Sequence, residues 1–251
     1  MSRKLVGILS LVLILALSIG AFAATDRKGT WVDEVIIVEE PNITTAISRL
    51  QAGDIDIYAS TSSDAVAFQT ILNDPNLDYY ITYGSYSELT FNPVLYFEDG
   101  RFNPFGIRRI REAMNYLIDR DYIAQELYAG LAQAKTLMLN TAYVDYSRVV
   151  ETARALEFKY AYDFDKAKEI ITEEMLNAGA ELVNGVWYYD GKPVEILVLA
   201  RIEDARRETG DYVAEQLKKV GFTVQVDYRT GAEASPIWLM GDPKLGQWHI
   251  Y

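Results

Sequence analysis

Carboxylates and one histidine are the residues of this sequence whose types and spacing could support acid–base chemistry. Asp54 and Asp56 alternate within "DIDIY", so a strand would present both on one face. Paired carboxylates on one face are the arrangement of a hydrolytic site, but the same alternation is typical of a solvated strand face, which we favour. Further acidic pairs occur at Glu173–Glu174 and Asp163–Asp165.

The single histidine, His249, could act as a general base for a serine such as Ser235. An exported hydrolase that uses this pair or the acidic pairs is therefore one hypothesis. The sequence has no G-x-S-x-G elbow, and adjacent glutamates on a helix point apart. Asp163 is better placed to cap a helix than to catalyse. We therefore predict no catalytic residue and no enzymatic activity.

The composition also bears on cofactors and on partners. The 251 residues include no cysteine and one histidine, so a zinc site of the usual ligands cannot be built, and we predict no metal and no cofactor. Disulfides and a lipid-modified cysteine are excluded as well. Because 24 basic and 36 acidic residues give a net charge of -12, we predict no nucleic-acid partner.

The N-terminus has the pattern of a secretory signal peptide. Arg3 and Lys4 precede an apolar run that continues to Ile19, and the small-residue motif "AFA" ends at Ala23. A membrane anchor is the alternative, since the run approaches the length that spans a bilayer. The cleavage motif favours removal of residues 1–23. We therefore predict a periplasmic protein that is exported, not lipid-anchored, and without a stable membrane anchor after cleavage.

These candidate residues depend on the elements that position them. Residues 32–40 are rich in β-branched side chains, which predicts a strand, and "DIDIY" predicts a second one. Between them, Asn42 is placed to cap a helix that stops at Gly53. Residues 79–97 are expected to be extended, and the turns that follow mark a change from strand to helix.

Helical periodicity dominates the next part of the chain. Ile107, Ile110, Met114 and Leu117 recur on one face. Asp119 is then placed to cap a second helix, for which Gly130 is a stop signal.

The C-terminal part alternates helices with strands. Asp163 is placed to cap a helix that ends before Gly179. Turns at Asn184-Gly185 and Asp190-Gly191 bracket "VWYY", and "PVEILVLA" and "FTVQVDY" predict strands on either side of a helix that Gly221 ends. This alternation predicts an α/β lobe.

The segment "FNPFGIRRIREAMNYLIDRDYIAQELYAG" resembles a segment of the family 5 extracellular solute-binding proteins, "F-x-D-x-R-V-R-x-A-x-x-Y-A-I-D-R-x-x-I". Flanking blocks agree in order: "VDEVIIVEEPNITTAISRLQAGDIDI" and "GDYVAEQLKKVGFTVQVDY" are similar to family blocks, as is "YDFDKAKEIITEEMLNAGA", with Phe164 in place of a proline. The resemblance covers about residues 31–251. It implies a periplasmic binding protein-like fold of class II with two lobes.

The chain is much shorter than members of this family usually are, so we expect an incomplete two-lobe fold, that is, a fragment or a deletion product. After the signal peptide, residues 24–92 would form part of lobe I and residues 93–251 most of lobe II. We expect weak ligand binding or none from such a product alone.

For a complete member, the resemblance implies that a solute binds between the lobes and is delivered to the permease subunits of an ABC importer. The ligand would be an oligopeptide or an oligosaccharide, and a truncated interaction module without a transport role is a further alternative. Aromatic and polar side chains near the crossing between the lobes and near the C-terminus are the expected ligand contacts: Tyr83, Tyr86, Asn92, Trp238, Trp248 and Tyr251.

Overall fold

The computed structural model describes residue 29 and residues 31–62, 64–83 and 85–251. The predicted signal peptide, residues 1–23, lies outside the described residues. The chain divides into two compact units, one ending at Pro41 and the other running from Asn42 to Tyr251. The predicted lobe boundary at residue 92 stays a prediction.

The described part of the first unit has no strand, so the strand predicted over residues 32–40 is wrong. Val35, Ile36 and Ile37 are 72%, 76% and 90% exposed. β-Branched residues favour a pleated, half-buried surface, but a strand forms only when a neighbouring strand bonds to its backbone. The composition of this segment predicted its strand propensity, but it could not show whether a neighbouring strand is available to bond to its backbone.

The second unit begins with two helices, α1 (Ile43–Ala52) and α2 (Ala65–Leu72). The predicted start and stop of α1 are confirmed, since Asn42 Oδ1 accepts a hydrogen bond from the Thr45 amide at 3.0 Å and Gly53 has a φ of 76°. The strand predicted at "DIDIY" is wrong, because residues 54–58 contain no strand and Ile57 is 80% exposed. Asp54 and Asp56 therefore do not share a strand face.

A 3-10 turn at Pro104–Gly106 leads into α3 (Arg108–Leu117), which buries Ile110, Met114 and Leu117 as predicted. Asp119 Oδ1 then accepts a hydrogen bond from the Tyr122 amide at 2.9 Å, which confirms the second cap. The helix that follows starts as α4 (Arg120–Tyr122) and continues as a π-helix over Ile123–Leu127. Periodicity did not predict that wider turn.

The helices α5 (Val144–Arg148), α6 (Val150–Lys159) and α7 (Phe164–Asn177) follow. Asp163 Oδ1 accepts a hydrogen bond from the Lys166 amide at 3.0 Å, as its position predicted. The buried face of α7 packs against α3 through Ala167, Ile171 and Met175.

A small antiparallel sheet links α7 to the main sheet. It consists of β1 (Glu181–Val183), β2 (Val186–Tyr189) and β3 (Lys192–Pro193). The turns are those predicted: Asn184 and Gly185 have φ values of 51° and 84°, and Asp190 and Gly191 have values of 51° and 72°. Positive φ at both central residues is the signature of a type I′ turn. Trp187 is fully buried and anchors β2 to the core.

The main sheet pairs β4 (Glu195–Arg201) in parallel with β5 (Thr223–Arg229), and α8 (Arg206–Lys219) makes the crossover. The helix α9 (Gly231–Trp238) follows β5. Two short segments extend the sheet beyond β4: residues 249–251 bond to Leu197 and Leu199, and residues 90–92 bond to 249–251. The α/β class is therefore confirmed.

The main hydrophobic core lies between α3, α7, α8, the small sheet and β4, and a smaller apolar cluster surrounds Leu199, Ala234 and Trp248. Within the described residues, no helix has the length and hydropathy required to cross a bilayer. The fold thus places one face of β4 in the core and directs the carboxyl ends of both parallel strands towards the smaller cluster.

Candidate functional site

The carboxyl ends of parallel strands are a common location for ligand sites in α/β folds. Here β4 ends at Arg201, and residues 249–251, which run parallel to β4, end at Tyr251. The helix α9 starts immediately after β5. These ends assemble a group that we call the strand-end site: Arg201, Glu203, Gly231, Trp238 and Tyr251.

A charged pair forms one side of the strand-end site. Arg201 donates from Nε and from one terminal nitrogen to the two carboxylate oxygens of Glu203, each at 3.0 Å, and the Gly231 amide donates to Glu203 Oε1 at 2.5 Å. The hydrogen bonds from Arg201 lower the pKa of Glu203 to about 2, and the Gly231 amide adds to that shift. The carboxylate therefore stays ionised, and the pair is fixed with both charges present.

A side chain at position 231 would displace the Arg201 guanidinium from its place beside Glu203. A Cβ there would lie 2.7 Å from the guanidinium carbon of Arg201. Thr230 and Glu233 form a capping box at the start of α9, which satisfies the first backbone amides of that helix. The start of α9 therefore holds the charged pair close to its backbone.

Aromatic rings form the other side of the strand-end site. Trp238 stacks on Tyr251 with centroids 4.3 Å apart and planes 15° from parallel, and both pack against the apolar cluster that contains Trp248. The indole N–H groups of Trp238 and Trp248 are shielded from solvent, and neither meets an acceptor among the described residues. Buried donors of this kind are normally satisfied, so an oxygen of a bound molecule or water would accept a hydrogen bond from them only after the surrounding rings moved apart.

Tyr83 and Tyr86 lie in a different place, at a surface cavity of about 170 Å³ that we call the Tyr83 pocket. They are 44% and 47% exposed. The pocket is lined by Tyr83, Ser85 and Tyr86 on one side and by side chains between positions 135 and 145 on the other, which include Lys135 and Tyr143. Five of the six predicted contact residues therefore divide between these two places.

Asn92, the sixth predicted contact residue, lies in neither place, and its side chain is fully buried. Its Nδ2 donates to the carbonyls of Pro243 and Trp248 at 2.9 and 3.0 Å, and its Oδ1 accepts from the Val94 amide at 3.1 Å. Its role as a ligand contact stays a prediction. What the structure shows is an amide that joins residues 90–94 to the segment carrying Trp248.

The residues considered for hydrolysis are held in other interactions. His249 is 1% exposed, and its Nδ1 accepts a hydrogen bond from the Leu197 amide at 3.0 Å. Burial lowers the pKa of His249 to about 3, and the positive charge of Arg101 contributes to that shift. Ser235 Oγ donates instead to the Gly231 carbonyl at 2.7 Å. These two residues do not form a nucleophile and base.

The acidic pairs are likewise engaged. Glu173 and Glu174 lie 3.5 and 3.3 Å from nitrogens of Arg109, and Asp163 caps α7. In the part of the chain that the structure describes, no group of three or more His, Cys, Asp or Glu residues could hold a metal ion.

Sequence reasoning missed Arg201, Glu203 and Lys135. Arg201 was marked only by its place at the end of the apolar run "PVEILVLA", where a charged residue follows a buried strand. Lys135 had no comparable signal, because its loop lacks periodicity.

Three comparisons bear on this arrangement. The family model described as "Bacterial extracellular solute-binding proteins, family 5 Middle" matches residues 25–248. The oligopeptide-binding protein AppA of Bacillus subtilis is 26% identical over 204 residues, which cover 78% of this chain and 33% of AppA. The chain thus spans about a third of the length of that relative.

Solved structures show the same fold. The ABC transporter substrate binding protein CtaP from Listeria monocytogenes matches 82% of this chain and 36% of its own, with a TM-score of 0.55 and 21% identity. Lactococcal OppA, complexed with an endogenous peptide, matches 83% of this chain and 39% of its own, with a TM-score of 0.54 and 19% identity. The periplasmic binding protein-like fold is therefore confirmed, and each match covers only part of the solved chain.

Proposed function

Because this chain belongs to the family 5 bacterial extracellular solute-binding proteins, we propose that it is part of a receptor that binds an oligopeptide and delivers it to the permease subunits of an ABC importer. Its place of action would be the periplasm, after removal of residues 1–23. Two of its relatives support a peptide ligand: AppA is an oligopeptide-binding protein, and lactococcal OppA was solved in complex with a peptide.

The strand-end site is the observation that carries this proposal. It combines a fixed guanidinium and carboxylate with an aromatic stack and two indole donors that lack acceptors. A peptide offers what each of these groups needs, namely carbonyl oxygens for the donors, charged ends for the ion pair and side chains for the aromatic faces. Trp238 and Tyr251 would contact the ligand, and Trp248 would contribute its N–H.

An oligosaccharide is the second candidate, because the same stacked faces suit sugar rings. Catalysis is not part of the proposal, since His249 is neutral, buried and bonded through Nδ1 to a backbone amide. A binding role without bond breaking is consistent with every contact described at the site.

The test compares peptides with sugars on the purified 251-residue chain. Saturation-transfer NMR, which detects weak complexes, would be recorded with a pool of short peptides and with β-glucan oligosaccharides. Of the two outcomes expected for an incomplete fold, weak binding or none, the strand-end site favours weak binding, so we expect weak signals from the peptides. We expect Trp238→Ala to reduce the affinity about tenfold because it removes a stacked contact surface. Tyr80→Ala is the control, since Tyr80 is 98% exposed.

Absence of binding to either class, or equal binding by wild type and Trp238→Ala, would contradict the proposal. If the protein bound only the sugars, the ligand of the receptor would be an oligosaccharide instead of an oligopeptide. Turnover of peptide or glucan that is lost in His249→Ala would replace it with hydrolysis.

A further inference from the structure

The Tyr83 pocket is built from two loops that a side chain fixes together. Asn140 Nδ2 donates to the Tyr83 carbonyl at 2.7 Å, and Asn140 Oδ1 accepts from the Ala142 amide at 2.9 Å. The Asn140 side chain therefore uses its nitrogen as a donor and its oxygen as an acceptor to hold the two loops of the pocket in place. The walls come from residues more than forty positions apart in the chain, so the cavity is a product of tertiary structure.

A positive charge without an acidic partner lies in the pocket. Lys135 Nζ is 4.6 Å from the centroid of the Tyr86 ring and donates to the Met138 carbonyl at 2.8 Å. It forms no ion pair with a carboxylate of the described residues. An ammonium group has three donors, so two remain for a ligand. Asp145, which also lines the pocket, is already paired with Arg148 at 3.0 Å.

The rest of the wall is aromatic and apolar. Tyr83, Tyr86 and Tyr143 are 44%, 47% and 53% exposed, and Met138 is 74% exposed. The hydroxyls of these tyrosines make no hydrogen bond within the described part of the chain. A group that fits must therefore offer a flat or apolar surface and an anionic end within reach of Lys135.

We propose that the Tyr83 pocket binds a carboxylate that stands next to an apolar or aromatic group. The carboxylate would accept hydrogen bonds from Lys135, and the attached group would pack on Tyr83, Tyr143 and Met138. In a protein with a net charge of -12, the surface as a whole repels anions, so recognition of a carboxylate requires a local, unpaired cation. Lys135 supplies it.

Which molecule supplies the carboxylate depends on the ligand class in the proposed function, on which this part of the inference rests. For an oligopeptide ligand, it is the C-terminal residue with its free carboxyl group, and the pocket then favours peptides that end in an aromatic or apolar residue. For an acidic sugar, it is a uronate. The pocket chemistry is the same, and small probes can separate the two sources.

The test uses the full chain labelled with ¹³C at lysine Cε, with the Lys135 signal assigned by its loss in Lys135→Met. N-acetyl-tyrosine and its neutral amide are titrated, followed by glucuronate and glucose. We expect the Lys135 signal to shift with N-acetyl-tyrosine and the amide to bind about tenfold more weakly, since a charge-assisted hydrogen bond is lost. A preference for glucuronate would identify the sugar source.

Lys192→Met is the matched control, because Lys192 is exposed on β3 and the net charge changes equally. It should leave the preference for the acid intact. Binding of N-acetyl-tyrosine is measured independently by its own line broadening, and Lys135→Met should abolish its preference over the amide.

The proposal is overturned if acid and amide bind equally, if neither binds, or if Lys135→Met keeps the preference. These probes do not depend on peptide uptake. A protein that binds N-acetyl-tyrosine at Lys135 but no oligopeptide would contradict the proposed function and leave the pocket assignment standing.

Discussion

At the residue scale, His249 is held neutral by the contacts around it. Its Nδ1 must be unprotonated to accept the Leu197 amide, and Nε2, which then carries the proton, meets no acceptor among the described groups. The ring also lies edge-on to Phe97, with centroids 5.0 Å apart. A second proton would break the bond to Leu197 and place a charge in this apolar setting.

We therefore predict a dependence of stability on pH that comes from this residue. Its pKa is about 3 in the folded protein against 6.5 for a free histidine, so between these values the unfolded state binds a proton that the folded state does not. The contribution is complete above pH 6.5, and the free energy of unfolding falls as the pH decreases through the window.

The measurement is urea unfolding of wild type and His249→Asn, whose amide oxygen can still accept from Leu197. Between about pH 7 and about pH 5, wild type should lose about 2 kcal/mol more than the variant. Carboxylates such as Glu203 are present in both proteins, so their contributions to the pH dependence of unfolding cancel in the comparison. Parallel pH profiles would show that His249 is not the titrating group.

Asn92 shows why residue roles are hard to predict from sequence. Its partners are carbonyls of Pro243 and Trp248, some 150 positions away in the chain. A family resemblance marks such an asparagine as a candidate contact, but whether it faces solvent or a buried backbone depends on which segments meet there.

At the scale of elements, the contact between α8 and β4 depends on a glycine. A Cβ on Gly210 would lie 2.6 Å from the Cβ of Ala200, and Ala200 cannot move aside because it belongs to the sheet. Alanine favours helix by about 1 kcal/mol over glycine, but overpacking of this kind costs about 1 to 3 kcal/mol.

We predict that Gly210→Ala lowers the free energy of unfolding by up to about 2 kcal/mol, because the steric cost exceeds the gain in helix propensity. Chemical denaturation measures the change. Glu208→Ala, on an exposed position of the same helix, should stay within about 0.5 kcal/mol. A stabilised Gly210→Ala protein would show that α8 can shift away from the sheet.

The elements that could be predicted are those whose determinants are local. The caps at Asn42, Asp119 and Asp163 need only a side chain within three residues of a free amide, and all three formed as predicted. The strands predicted at residues 32–40 and 54–58 needed a neighbour elsewhere, and the described residues provide none. β4 and β5 could be predicted because each supplies the other's partner.

At the scale of the whole molecule, protection of the backbone should be very uneven. Leu197 and Leu199 of β4 donate to His249 Nδ1 and the Ile250 carbonyl, within a buried sheet. Val35, Ile36 and Ile37 lie outside any strand and are largely exposed. Local opening costs little where few contacts must break.

We predict that amides of residues 35–37 exchange with deuterium at rates close to those of an unfolded peptide, whereas Leu197 and Leu199 exchange only through global unfolding. Hydrogen exchange followed by mass spectrometry measures both. The amides of α1 serve as an internal control of intermediate protection. Slow exchange at residues 35–37 would mean that this apolar segment is paired in solution.

The two candidate sites could be predicted only in part, because the fold of the whole chain decides which residues come together. Tyr83, Trp238 and Tyr251 were marked by residue type and by resemblance. The grouping of Trp238 with Tyr251 follows from the parallel crossover and from the return of residues 249–251 beside β4, whereas Tyr83 lies apart from them in the Tyr83 pocket. Arg201 and Lys135 became candidates only when the fold brought them next to those rings.

The stack of Trp238 on Tyr251 gives the protein an intrinsic optical reporter. A solute that separates these rings, or that covers them, alters the polarity around one indole and so shifts its emission. Trp187, at 0% exposure, is inaccessible to iodide and provides a constant reference, whereas Trp31, at 77%, is quenched first. Once that outer signal is removed, the remaining fluorescence can follow occupancy of the strand ends without any attached dye.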